Sequence, residues 1–219
     1  MASARAEGTT GSQTLSRGLA ALALIGETRS PLSINEIAEQ LEINRSAAYR
    51  IVRTLEQHRF ARRTASGAVE PGVRLAAFGQ SAYRALQSAA LPQLQSVADD
   101  LAMTAFLVVY DGVDVVTLLS VEPRNAVTYV AQRPGRRQAV GTGAPGQVIR
   151  SQLQPEVYPS NRYEITHDEV IPGLTAIAVP VPGEHPASIA VLFATRPVDV
   201  DGIVTALEGA SDRMAGGES

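Results

Sequence analysis

The chain contains no cysteine among its 219 residues. That excludes a disulfide framework and a thiolate metal site. No apolar run is long enough to cross a bilayer, which excludes a helical membrane span. The start, MASARAEGTTGS, lacks the apolar segment of a secretory signal. These absences point to a cytoplasmic protein with no membrane partner. There is no internal repeat and no low-complexity tract. The three histidines, His58, His167 and His185, are dispersed, none with a second ligand at metal spacing. His167-Asp168 has no accompanying G-x-S-x-G serine elbow. Asp99-Asp100 is expected on an exposed helix face, where a carboxylate pair is ordinarily just solvated. No catalytic residue, metal or cofactor is therefore expected, and the chain reads as a non-enzyme. Lysine is absent as well: all 19 basic residues are arginine.

What is present is a globular composition, 45% hydrophobic, on a length that predicts one or two domains with a real core. The net charge of -3 argues against nucleic acid only when averaged over the whole chain. Arg45, Arg50, Arg53, Arg59, Arg62 and Arg63 fall in one short stretch, opposed there only by Glu56. A basic patch on an acidic protein suits a DNA binder whose remainder has another task.

That stretch begins at Ser33. Ser33 with Glu36 has capping-box spacing, and Ile34, Ile37, Ala38 and Leu41 recur at helical period. Glu42 and Ile43 make a turn, and Asn44 caps a second helix. Ala48, Ile51, Val52 and Leu55 share one face of it. Ser46, Tyr49, Arg50, Arg53 and Gln57 share the other, a face suited to the DNA major groove. A helical hairpin with a solvated basic face is the plainer reading. The neighbouring segments favour a winged helix-turn-helix instead. Leu15, Leu19, Leu22 and Ile25 predict a preceding helix over about 14–27 with Thr14 as its cap. Phe60 to Thr64 and Ala68 to Val73, with Ser66-Gly67 as the turn, predict a hairpin wing. Its Arg62 and Arg63 are placed to reach phosphates beside the groove.

The wording TLSRGLAALALI, SINEIAEQLEINRSAAYRIVRTLEQHRFARR and GVRLAAFG, in this order of elements, resembles the IclR family of bacterial transcription regulators. The resemblance covers nearly the whole chain after residue 12. It implies DNA contacts from Arg45, Ser46, Ala47, Tyr49 and Arg50 on the recognition helix and from the wing around Arg62 and Arg63. It implies a linker helix and a GAF-like effector-binding domain. Two departures are visible. Glu42 and Arg59 stand where the family usually has glycine; a left-handed residue other than glycine costs about 1 kcal/mol or more, so either the turns are rearranged or the domain carries strain.

The expected organisation is a disordered arm over 1–12, the winged helix-turn-helix over 13–74, a linker helix over 75–91 and the effector domain over 92–219. The linker is Ala-rich, and Pro92 is expected to open a separate helix ending at Leu101. From Thr104 the pattern becomes that of strands. TAFLVVY and VDVVTLLSV flank Asp111-Gly112, AVTYVAQ predicts a third strand, and LTAIAVPV and SIAVLFAT two more. A final helix is expected over 200–214. The fold class is α+β with a mostly antiparallel sheet.

Between the strand groups, AVGTGAPGQVIR formally contains G-x-G-x-x-G, but the βαβ context of a dinucleotide site is missing. The reading here is a glycine turn opening a helix at Ala144, whose free N–H groups can hold a carboxylate. A plain loop needing small residues is the alternative. In the family the effector loop lies at this place, which assigns Gly143 and Ala144 to effector binding. Aligning the later strands with the family adds Thr166, Ala176, Phe193 and Thr195. Phe106, Val108, Val116 and Leu118 are expected as apolar walls. The expected effector is small, acidic and partly hydrophobic. The chain is shorter than typical members between Ile149 and Arg162, so a helix there is expected to be truncated or absent.

The resemblance and the residues together imply a ligand-responsive regulator that binds a palindromic double-stranded DNA operator as a homodimer or homotetramer. Effector binding would shift the population of two states. Two alternatives stay open at this point. One is a DNA-binding regulator whose C-terminal domain only oligomerises. The other is a small-molecule-binding or enzymatic domain with a vestigial helix-turn-helix.

Overall fold

The computed structural model describes residues 12–28, 30–81, 83–126 and 129–216; the arm expected over 1–12 lies, apart from Ser12, outside them. The chain divides into two units between residues 82 and 83.

In the first unit, α1 (Gln13–Glu27) is capped by Ser12, whose hydroxyl accepts from the Leu15 N–H. It buries Ala21 and Ile25 but leaves Leu15 and Leu19 62% and 58% exposed. The expected apolar stripe therefore meets the core of this unit only at its C-terminal end. α2 (Ile34–Gln40) carries the capping box: Ser33 N–H donates to Glu36 Oε2 at 2.7 Å and Glu36 N–H to Ser33 Oγ at 3.2 Å. α3 (Arg45–Gln57) is capped by Asn44, which accepts from the Ala47 N–H at 2.8 Å. Ala48 and Val52 of α3 pack with Ile25, Leu32, Ile34 and Ile37 into one small core.

The wing is β1 (Ala61–Arg63) antiparallel to β2 (Val69–Pro71), turned at Gly67 with φ 84°. A bridge from Leu32 to Val69 ties the wing to the segment before α2. Glu42 and Arg59 have φ 51° and 61°, so both turns keep the left-handed geometry that glycine usually supplies and carry its cost. α4 (Arg74–Ser81) follows, its Phe78 ring 5.3 Å from that of Phe60.

The helices after the wing depart from expectation. Tyr83 adopts φ 51°, so no continuous helix runs from residue 75 to 90. α5 (Arg84–Leu101) instead carries Pro92 in its interior. Proline there removes the N–H that would donate to Ser88 and costs about 3 kcal/mol. Burial of Ala90, Leu94, Val97 and Ala98 on the same helix offsets it.

The second unit is a six-stranded sheet. Its strands are β3 (Thr104–Tyr110), β4 (Asp114–Val121), β5 (Arg137–Ala139), β6 (Glu164–His167), β7 (Leu174–Val181) and β8 (Ala187–Ala194), in the order β5-β4-β3-β8-β7-β6. All pairs are antiparallel. α5 and α7 (Val200–Ala215) cover one face, over Leu107, Ile177, Ile189 and Phe193. α6 (Gly143–Leu153) covers the other, over Phe106, Val108, Ala178 and Ala190. The β3–β4 hairpin closes on Asp111, whose Oδ1 accepts from the Val113 and Asp114 N–H groups. The Asp114 N–H, then that of Val113 and the Arg137 guanidinium, hold the Asp111 carboxyl below its ordinary range.

The described residues of the stretch expected as a third strand, 126–132, form no strand. The Thr104 hydroxyl holds the Val130 carbonyl at 2.5 Å, and the edge strand forms only after a turn at Gly135, φ 84°. Between α6 and β6, residues 154–163 form turns and no helix, as the shortened sequence there implied.

Candidate nucleic-acid interface and ligand cavity

Burial of Ala48 and Val52 turns the opposite side of α3 outward. Arg45, Ser46, Tyr49 and Arg50 line one open concavity, and Tyr49 is 49% exposed. The Ser46 hydroxyl donates to Asn44 Oδ1 at 2.8 Å. Among the described residues, Arg45, Arg50 and Arg53 pair with no carboxylate. Ala47 differs from its neighbours: it is half-buried and borders the groove between α1 and α3, which Arg50 also reaches.

The two wing arginines have different settings. Arg63 Nε donates to Glu56 Oε1 at 2.8 Å, and its guanidinium lies 5.5 Å from the centre of the Tyr49 ring. It fastens the wing to the recognition helix. Arg62 stands across the hairpin from Glu70 and pairs with it at 2.5 Å, its side chain 69% exposed. Such an exposed pair is worth about 0–1 kcal/mol and leaves the guanidinium available to a phosphate. The tethering roles of Glu56 and Tyr49 were not read from the sequence. The Arg62–Glu70 pair was not legible either: a two-residue Ser66-Gly67 turn would set Arg62 opposite Pro71, whereas Thr64 pairs with Ala68 around a three-residue loop.

On the α6 face of the second unit lies a cavity of about 40 Å³, room for a few waters and not for an aromatic acid. Of the expected residues it brings together Phe106, Gly143, Thr166 and Ala176. Ala144 joins them through its N–H, which donates to Thr166 Oγ1 at 3.1 Å. Four expected residues are on the other face. Ala176 pairs with Leu192 and Thr175 with Phe193, so Ala176 and Phe193 cannot both face the cavity. Leu192 lines it, and Phe193 belongs to the core under α5 and α7. Thr195 likewise bonds the Thr175 hydroxyl at 2.9 Å, which meets His167 Nδ1 at 2.9 Å. Val116 pairs with Val109, and Leu118 packs on the α5–α7 core, each away from the cavity. Val108 shares the α6 face but does not reach the cavity.

Sequence reasoning missed Gln132, Arg136, Gln138 and Glu169, which also line the cavity. The lining is thus more polar than the expected apolar walls alone would make it. Among the described residues the Arg136 guanidinium meets only Gln132 Oε1, at 3.4 Å. Glu169 accepts from the Gly143 N–H at 3.0 Å and from Gln147 Nε2 at 3.2 Å. No periodic signal marks these residues, since three come from or beside turns.

A three-helix head with a wing and an arginine-bearing recognition helix defines a winged helix-turn-helix DNA-binding protein, here with an α+β second domain. Residues 14–65 match the family model of the IclR helix-turn-helix domain. The fold as a whole is similar to that of an IclR transcriptional regulator from Alicyclobacillus acidocaldarius, with a TM-score of 0.83, 23% identity, and coverage of 95% of this chain and 100% of that one. It is also similar to an IclR-family regulator from Brucella abortus, with TM-score 0.78, 18% identity, and coverage of 100% and 97%. A third similar structure is an IclR homolog from Microbacterium hydrocarbonoxydans complexed with 4-hydroxybenzoate, with TM-score 0.76, 20% identity, and coverage of 92% and 97%. No curated protein matches the chain. Residues 14–65 thus carry a helix-turn-helix of IclR type, and the fold as a whole is that of the similar IclR-type structures. No helix among the described residues is long and apolar enough to cross a membrane.

Proposed function

We propose that the chain is a cytoplasmic, ligand-responsive regulator that grips a palindromic operator as a homodimer or homotetramer and has no enzymatic role. The observation that carries the DNA-binding part is the α3 face, where, among the described residues, Arg45, Arg50 and Arg53 pair with no carboxylate. We assign 13–74 to DNA binding, 75–91 to the linker and 92–219 to effector binding. The linker so defined takes in α4 and the first turns of α5. Two-fold DNA is read by two-fold protein, and the exposed Leu15 and Leu19 of α1 are a surface that self-association would cover.

For the effector we assign the cavity at the start of α6. Gly143 and Ala144 point N–H groups toward it, and Phe106, Ala176 and Leu192 give it an apolar wall. A small acid with an apolar body fits that chemistry. The small volume of the cavity favours a second reading, in which this domain only oligomerises.

Fluorescence-anisotropy titration of DNA upstream of the chain's own gene, with and without a panel of small carboxylic acids that includes 4-hydroxybenzoate, separates the two. An acid that changes operator affinity about 5- to 150-fold is expected. An operator that binds tightly and is indifferent to every acid would leave the oligomerising reading standing instead.

A further inference from the structure

We propose that Glu169 is a latch: its carboxylate occupies the anion-binding start of α6 and holds residues 168–173 as a lid over the cavity, until a ligand's acid group displaces it. The inference rests on the effector site assigned above and adds how that site is guarded.

The donors at the start of α6 are already engaged. Both oxygens of Glu169 accept, one from the Gly143 N–H at 3.0 Å and the other from Gln147 Nε2 at 3.2 Å. The Ala144 N–H is taken by Thr166 Oγ1 at 3.1 Å. A helix start carries partial positive charge and favours an anion, so Glu169 meets the need that a ligand carboxylate would meet.

The turn that carries Glu169 also closes the cavity. It runs from Asp168, φ 58°, to Gly173, φ 82°, between β6 and β7. Asp168 N–H donates to the Leu174 carbonyl at 2.9 Å, and Leu174 N–H to the Ile171 carbonyl at 3.2 Å, so the turn is internally braced and can move as one piece. Val170 and Ile171 line the cavity beside Glu169. Val170 Cγ2 lies 3.0 Å from where a Cβ on Gly143 would sit. The cavity behind is about 40 Å³, so a ligand larger than a few waters enters only if this turn lifts. Glu169 itself is exposed. Released, its carboxylate returns to water with little desolvation to reverse, and the incoming acid replaces it at the same donors. A neutral ligand of the same shape offers no such exchange.

The test uses the full chain as wild type, Glu169→Ala and Glu169→Gln. Glutamine keeps the size and one acceptor but removes the charge. Hydrogen exchange is read first, without ligand or DNA. Residues 168–173 and the Gly143 amide are expected to exchange about tenfold faster in Glu169→Ala, the scale of a lost charged hydrogen bond. Residues 14–65 should be unchanged. Benzoate and benzamide are then titrated as probes. Glu169→Ala and Glu169→Gln should bind benzoate about tenfold more tightly than wild type, with no gain for benzamide. Unchanged exchange in 168–173 overturns the latch. Faster exchange with no gain in benzoate affinity in either variant overturns the competition and leaves Glu169 a structural staple. The effector reading itself is judged separately, on operator affinity, so its failure cannot be confused with either result.

Discussion

Replacing Gly72 by alanine is expected to abolish operator binding at ordinary temperatures while leaving the second unit folded. Gly72 closes the wing: its N–H donates to the Phe60 carbonyl at 2.8 Å. A Cβ there would lie 2.2 Å from the Arg59 carbonyl oxygen and 2.8 Å from the carbonyl carbons of Arg59 and Phe60. All three are backbone atoms, so no rotamer change relieves the clash and the wing must separate from the end of α3. Overpacking of this kind costs about 1–3 kcal/mol or more. The first unit has a small core, and a domain of its size is stable by only about 0.05–0.15 kcal/mol per residue. Gly67→Ala is the control from the same hairpin. Its Cβ meets nothing within 4 Å although φ is 84°, so only the left-handed cost of about 1–2 kcal/mol applies. Thermal melting of the full chain followed by operator titration checks both variants. Binding by Gly72→Ala within about threefold of wild type, a difference of well under 1 kcal/mol, would show that the wing is not held as described.

The second large effect is expected in the second unit. Gly143→Val should remove any effect of ligand on operator affinity and leave ligand-free DNA binding in place. Gly143 has φ 67°, and its Cβ would meet Val170 Cγ2 at 3.0 Å. Valine is β-branched and tolerates positive φ poorly. The substitution therefore strains the first turn of α6, pushes against the 168–173 turn and fills the space a ligand acid needs. It lies outside residues 14–65, where the helix-turn-helix is. The readout is the ratio of operator affinities with and without the active acid. A normal ratio in Gly143→Val would move the effector site elsewhere.

The helix-turn-helix was legible in the sequence because its determinants are local. Ser33 with Glu36 and Asn44 before Arg45 announce caps that the structure realises. Glu42 and Arg59, standing where the family usually has glycine, left open whether these turns are rearranged or strained; both have positive φ, so the turns are kept and strained. In the second unit β3, β4, β7 and β8 were legible from their apolar runs, whereas AVTYVAQ read as a strand and its described residues form none, and the short edge strands β5 and β6 gave no such run. What was not legible is which strand face looks where. Ala176 and Phe193 were placed on one wall, but their partners across the β7–β8 ladder are Leu192 and Thr175, and a one-residue offset moves a side chain to the opposite face. Register depends on pairings between distant segments, which periodicity within one strand does not contain. Pro92 misled because a proline reads as a helix start, whereas packing of Leu94, Val97 and Ala98 keeps α5 intact around it. Glu169 escaped notice because it lies in an aperiodic turn and acts on a glycine far away in the sequence.

The central claim is that α3 and the wing read DNA, and the salt dependence of operator binding by wild type, Arg50→Ala and Arg62→Ala tests it most directly. Arg50 lines the α3 concavity and pairs with no carboxylate among the described residues, so Arg50→Ala should cost about 1–3 kcal/mol and relax specificity at one base position. Arg62 lies on the wing, where a cross-strand carboxylate holds it only loosely. Arg62→Ala should weaken binding to all sequences alike and lower the slope of log affinity against log salt by about one. If both variants bind the operator as wild type does, with unchanged slope and specificity, the recognition surface is not the one described.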